Sequence, residues 1–217
     1  MGEVWKVEDP RTGRLFALKR MHESADPHRR RLFDNEVRII ATLNHPGVVR
    51  ILAVGEQCYV MDHAPLGRLR TVHSYAAARA VLQDLLGALS YIHARGVLHR
   101  DVKPSNLLCF PTHTGRWACR LADFGVAGQL GSLSGAGGTP SFMAPEQLGL
   151  TAYPEGPWTD LYATGCVAAA LLTGRSPFSG MTDTQAAAAR AGVPTFRFQL
   201  PVPAGLTEWL ARLLAPS

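Results

Sequence analysis

Apolar and polar positions along this chain change period twice. Residues 3–8 (EVWKVE) and 15–20 (LFALKR) alternate as half-buried strands do. Between them Asp9-Pro10-Arg11-Thr12-Gly13 is a run of turn formers, so the chain is expected to open as an antiparallel hairpin. Asp26-Pro27 then reads as a helix N-cap followed by proline at the first helical position. Leu32, Phe33, Val37, Ile40 and Leu43 follow at helical spacing, and Asn44-His45-Pro46-Gly47 stops that helix. Residues 48–54 and 57–61 look like two more strands joined by a short turn at Gly55-Glu56. After Pro65-Leu66-Gly67 the character becomes helical. A long amphipathic helix is predicted over 76–94, loops and short strands over 97–123, and helices over 159–173, about 182–191 and 205–214. Residues 128–141, rich in glycine and serine, read as a mobile loop. No internal repeat is present. The plan is α+β: a small strand-rich lobe with one helix, a short connector, then a larger helical lobe.

Composition narrows the class. A chain of 217 residues suffices for one sizeable domain, and 47% hydrophobic with 18% charged residues excludes disorder. The net charge of +5 raises the prospect of an anionic partner, but the basic residues are scattered, so no nucleic acid is expected. Cys58, Cys109, Cys119 and Cys166 form no C-x-x-C pair and have no histidine cluster beside them. Reduced thiols and a cytoplasmic setting are the simple reading. Residues 1–10 lack the apolar run of a secretory signal, and the apolar stretch Leu161 to Leu172 is too short to span a bilayer. That stretch reads as a buried core helix.

The chemistry-bearing residues cluster in order. His99-Arg100-Asp101-Val102-Lys103-Pro104-Ser105-Asn106 comes first, then Asp123-Phe124-Gly125, Gly138-Thr139-Pro140 and Ala144-Pro145-Glu146. With these motifs the chain resembles the eukaryotic-type (Hanks-type) Ser/Thr protein kinase catalytic domain, over essentially its whole length. The phrases around Ser141 to Gln147 and Asp160 to Gly165 resemble bacterial members. The resemblance implies a bilobal fold, with an N-lobe over 1–61, a hinge over 62–67 and a C-lobe over 68–217. It implies phosphoryl transfer from ATP, with Mg²⁺ or Mn²⁺, to Ser/Thr hydroxyls on protein substrates. Asp101 matches the catalytic base, Lys103 a charge on the transferring phosphate, and Asn106 and Asp123 the metal ligands, hard oxygens that suit this ion. Lys19 matches the lysine on the first two phosphates, and Glu36 its helix partner, with Glu23 as competitor. Gly2 and Val4 remain of the glycine-rich loop, and Val4, Ala17 and Leu108 match the residues around an adenine ring. Met61 matches the back of that pocket, and Asp62, His63 and Ala64 the connector whose backbone reads the adenine edge.

Lys103 and Thr139 both favour Ser/Thr over Tyr as acceptor. Arg100 is expected to pair a phosphate on the loop, with Ser132 and Ser134 as acceptors, or those serines are only loop filler. His28-Arg29-Arg30-Arg31 could join that phosphate site or form a solvated basic face. Asp160 matches a buried carboxylate that holds the catalytic-loop backbone. Against the family pattern, the first strand and two loop glycines would precede residue 1, and the arginine partner of Glu146 would follow the last residue. A clipped domain is therefore expected. The alternatives are a catalytically impaired fragment or nucleotide-binding module, and a small-molecule kinase of related fold, which the intact Thr139 to Glu146 platform speaks against.

Overall fold

The computed structural model describes residues 2–22, 26–131, 138–192 and 194–215. The hairpin forms as its alternation requires: β1 (Glu3–Glu8) and β2 (Leu15–Arg20) pair antiparallel. Asp9 closes the turn, its carboxylate accepting from the Arg11 N–H at 3.0 Å and the Thr12 hydroxyl at 2.8 Å. Helix α1 (Pro27–Ile40) starts where the Asp-Pro pair puts it, with the Asp26 carboxylate capping the Arg29 N–H at 2.9 Å. β3 (Ile51–Gly55) and β4 (Cys58–Asp62) complete a four-stranded antiparallel sheet in the order β1-β2-β4-β3.

β3 begins three residues later than the apolar run at 48–54 predicts. Val48 and Val49 are committed elsewhere. Val48 bridges Leu121, and the Val49 N–H donates to the Leu121 carbonyl at 2.9 Å. Both valines are buried, Val48 in the main core and Val49 in the cluster of Ala17, Phe33 and Tyr59, and only then does the chain enter the sheet.

Helix α2 (Tyr75–His93) is capped by Ser74 and buries one stripe, from Ala78 through Val81, Leu85 and Leu89 to Ile92. β5 (Val97–Leu98) follows, then a 3₁₀ turn at Pro104–Asn106 and the hairpin of β6 (Leu107–Pro111) and β7 (Trp117–Leu121). β8 (Gly128–Gln129) pairs with β5, so the Gly/Ser-rich stretch starts as a strand where a loop was expected. Its residues 132–137, with Ser132 and Ser134, lie outside the described residues, as does Glu23. Helix α3 (Pro157–Thr173) is apolar nearly all round and buried along most of its length. α4 (Asp183–Arg190) and α5 (Leu206–Leu213) complete the helical part.

The main core surrounds α2 and α3. A second cluster joins Ala17, Phe33, Tyr59 and Met61 of the sheet side to Phe110 and Ala122 of the helical side. It is the apolar seam on which the candidate site rests. The four cysteines are unbridged; the Cys109 and Cys119 sulfurs face each other across β6 and β7 at 3.7 Å. Among the described residues no helix is long and apolar enough to cross a membrane.

Candidate active site

The segment after β5 is fixed from below by one buried carboxylate. Asp160, in the first turn of α3, accepts from the His99 N–H at 2.9 Å, the Arg100 N–H at 2.8 Å and His93 Nε2 at 2.7 Å. A fully buried carboxylate must find such donors, and two here are backbone groups of the loop that carries Asp101. The His99 ring adds a second tie, bonding Ala122 O through Nε2 at 3.1 Å and accepting the Asp101 N–H at Nδ1. Its edge packs on Phe124, with ring centroids 4.8 Å apart. Arg100 and Asp123 adopt positive φ, 66° and 64°, a region that side chains other than glycine seldom occupy. Strain of this kind, on the order of 1–3 kcal/mol per residue, sits at the residue before Asp101 and at Asp123.

Asp101 is the centre of a compact polar network. Lys103 Nζ lies 2.6 Å from Asp101 Oδ2, and Asn106 Nδ2 donates to Asp101 O at 2.9 Å and Oδ2 at 3.1 Å. The Thr139 hydroxyl donates to Asp101 Oδ1 at 3.0 Å and accepts from Lys103 Nζ at 2.6 Å. The 3₁₀ turn at Pro104–Asn106 curls the chain back so that Asn106 faces Asp101.

A second network lies under the sheet. Residues directly opposite on paired strands share a face. Val4 and Tyr59 flank Lys19, and Met61 faces Ala17, so all five project from one side of the sheet. There Lys19 Nζ reaches both Glu36 oxygens at 2.7 and 2.9 Å and Asp123 Oδ1 at 2.9 Å. Tyr59 donates its hydroxyl to Glu36 Oε1 at 2.8 Å. Burial opposes the charge on Lys19, but Glu36 and Asp123 outweigh it and raise the pKa. Burial likewise works against ionised Asp123, and Lys19 overcomes it and holds that carboxyl below its ordinary value. Tyr59 is pushed far up by burial and by Glu36, so it stays a donor.

The two networks meet through the backbone, where the Ala122 N–H donates to Asn106 O at 2.9 Å. Both described bonds from the Asn106 side chain use Nδ2, which leaves Oδ1 as the fork atom turned from Asp101. The Asn106 amide oxygen and the Asp123 carboxylate, whose Oδ1 also accepts from Lys19, are oxygens of the hard type that Mg²⁺ or Mn²⁺ takes.

The remaining expected positions fall in two groups. Ala17 and Met61 are buried in the apolar seam, with Ala64 and Leu108 at its edge. Val4 is not core: it is 55% exposed on the open face of β1. Gly2 stands where a Cβ would fall 2.1 Å from Arg20 O, so this close approach requires glycine. It lines a cavity of about 260 Å³ with Lys19, Glu36 and Asp123. Asp62 is already engaged: its N–H donates to Arg50 O at 3.2 Å and its carboxylate meets Arg120 at 3.1 Å.

Three partnerships differ from expectation or escaped the sequence. Arg100 Nε faces Glu155 Oε2 at 2.6 Å, so a carboxylate before α3 stands where a loop phosphate was expected. Glu146 accepts the Thr159 hydroxyl at 2.6 Å, a partner from the start of α3 in place of a distant arginine. The buried Arg190 of α4 supports the same platform, donating to the carbonyls of Met143 and Pro140. The run Arg29 to Arg31 is exposed.

A protein-family model described as "Protein kinase domain" matches residues 1–215. The chain is 33% identical over 185 residues to the serine/threonine-protein kinase DCLK1 of Rattus norvegicus, covering 80% of this chain and 42% of that protein. It is 35% identical over 200 residues to the serine/threonine-protein kinase pkn2 of Myxococcus xanthus, covering 83% of this chain and 24% of that one. It is also 33% identical over 194 residues to the serine/threonine-protein kinase CG17528 of Drosophila melanogaster, covering 84% and 26%. The chain therefore spans less than half the length of these relatives.

Proposed function

Because the chain belongs to the protein kinase domain family, we propose that it transfers the terminal phosphoryl group of ATP to Ser/Thr hydroxyls of protein substrates. In this reading residues 1–61 are an N-lobe, 62–67 a hinge and 68–217 a C-lobe, with nucleotide between them. The observation that carries it is the Asp101 network: a carboxylate in contact with a lysine, an asparagine and a threonine hydroxyl.

Each residue has a physical task. Asp101 orients the acceptor hydroxyl and takes its proton. Ser/Thr as acceptor is supported by the Thr139 hydroxyl, an aliphatic hydroxyl of the same kind that Asp101 Oδ1 accepts. Lys103 adds positive charge beside the transferring group. Lys19, kept charged by Glu36, holds the first two phosphates. Ala17, Met61, Ala64 and Leu108, in or beside the apolar seam, would face the adenine together with the exposed Val4, and Gly2 would lie nearer the phosphates, in the cavity it lines with Lys19 and Asp123. Asn106 and Asp123 hold the divalent cation, which when bound neutralises phosphate charge. The catalysis asked of the chain is positioning and electrostatics.

The test is transfer of label from [γ-³²P]ATP with Mg²⁺ to generic basic and acidic proteins. Asp101→Asn is expected to lower the rate about 10²- to 10⁴-fold, the usual share of a general base, with label found only on Ser and Thr. Folded protein that gives no more label than its Asp101→Asn variant would refute the reading.

A further inference from the structure

A second cavity, of about 660 Å³, is lined by none of the residues of the Asp101 network. Its walls are the end of α3, the loop after it and residues 195–199. Arg175 and Arg197 line it, together with the hydroxyl-bearing Thr173, Ser176, Ser179 and Thr195. Among the described residues no acidic side chain lines it, and neither arginine is in an ion pair. Both arginines are exposed. Phe196 and Phe198, stacked with centroids 6.1 Å apart, stiffen one wall.

The cavity is tied to the catalytic network. The Ser176 hydroxyl donates to Ser141 O at 2.7 Å. Ser141 is two residues from Thr139, whose hydroxyl touches Asp101. Thr139 to Met143 is a tight turn, the Phe142 and Met143 N–H groups both donating to Thr139 O at 2.8 and 3.2 Å, so the two contacts sit on one compact segment. A peptide with its acceptor hydroxyl at Asp101 that runs over this turn passes toward the cavity within a few residues of the acceptor.

We infer that the cavity is a substrate-docking subsite for a phosphoserine or phosphothreonine already present on the protein substrate, held by Arg175 and Arg197. This rests on the proposed protein kinase activity and names its substrate class. The chemistry selects phosphate over carboxylate. One guanidinium fork satisfies both oxygens of a carboxylate, whereas a phosphate dianion has three acceptor oxygens for two forks and the hydroxyl donors. The net charge of +5 favours approach of such a substrate.

The experiment is fluorescence anisotropy with labelled peptides. Each carries an acceptor serine and, three to five residues to either side, phosphoserine, aspartate or serine. At least one phosphoserine placement is expected to bind about tenfold tighter than its serine sibling, with aspartate between them. Arg175→Ala with Arg197→Ala is expected to erase that difference. Arg175→Lys with Arg197→Lys keeps the charges without the forks and is expected to retain only part of it, which preserves the test should the alanine variant melt early. No phosphoserine placement tighter than its serine sibling, or a preference that survives the alanine pair, would overturn the inference. Binding is read without turnover, so failure of phosphotransfer refutes the activity and leaves this readout intact.

Discussion

Burial alone would discharge Lys19, and two carboxylates prevent it. The consequence is a stability profile with two edges. Asp123 has a lowered pKa, so its contribution is present above the ordinary carboxylate value, about 3.9, and is lost as pH falls through the lowered one. Lys19 has a raised pKa, so its contribution is present below the ordinary lysine value, about 10.4, and is lost as pH rises through the raised one. The gap in urea midpoint between wild type and Asp123→Asn is therefore expected to be flat near neutrality and to shrink below about pH 4. A gap that widens on acidification would contradict this account. At this scale the sequence was informative where a residue type and a spacing are both demanding. Lys19, Glu36, Asp101, Asn106 and Asp123 were all legible from motif resemblance, and they lie in two contacting networks. Tyr59 and Glu155 were not. A tyrosine on an alternating strand reads as core, and Glu155 sits in a loop with no period to place it.

Elements were legible when their own ends encode them. Asp26-Pro27 gave the start of α1; the start of α2 is read from apolar period alone, and the structure adds its cap, the Ser74 hydroxyl accepting the Ala77 N–H at 3.1 Å. Ser74→Ala is expected to destabilise the protein by about 1 kcal/mol, read as a shift of denaturant midpoint at unchanged slope. Elements defined by a distant partner were misread. Val48 and Val49 look like strand from their apolarity, but Leu121 claims them before the sheet does. Gly128 and Gln129 look like loop from their neighbours, yet β5 supplies a ladder for them. In both cases the deciding contact lies roughly 30 to 70 residues away along the chain, beyond any local period.

At the scale of the molecule, the core sorts the thiols. Cys109, Cys119 and Cys166 are buried, and burial raises the pKa of each, that of Cys166 to about 12. Only Cys58 is partly accessible. Because the thiolate is the reactive form, a thiol reagent is expected to modify one cysteine in native protein and all four after denaturation. Two fast-reacting thiols in the native state would contradict the packing. The order of the four identified motifs along the chain, together with the shift from strands to helices, made the α+β plan legible. The pairing of Arg100 with Glu155 arises only once α3 has packed beneath the loop, so it could not be read in advance.

Asp160 has a kinetic consequence. Its carboxylate accepts the amide hydrogens of His99 and Arg100 from within a helix buried along most of its length. Releasing the Arg100 amide takes from Oδ1 the donor described for it, and releasing both amides leaves the buried carboxylate with His93 on Oδ2. Exposing both amides by fraying of the loop is therefore costly, and the favoured opening involves α3 as well. In native-state deuterium exchange these two amides should protect as strongly as those of Cys166 and Val167 and share their denaturant dependence, a single cooperative unit joining the floor of the candidate site to the centre of the fold.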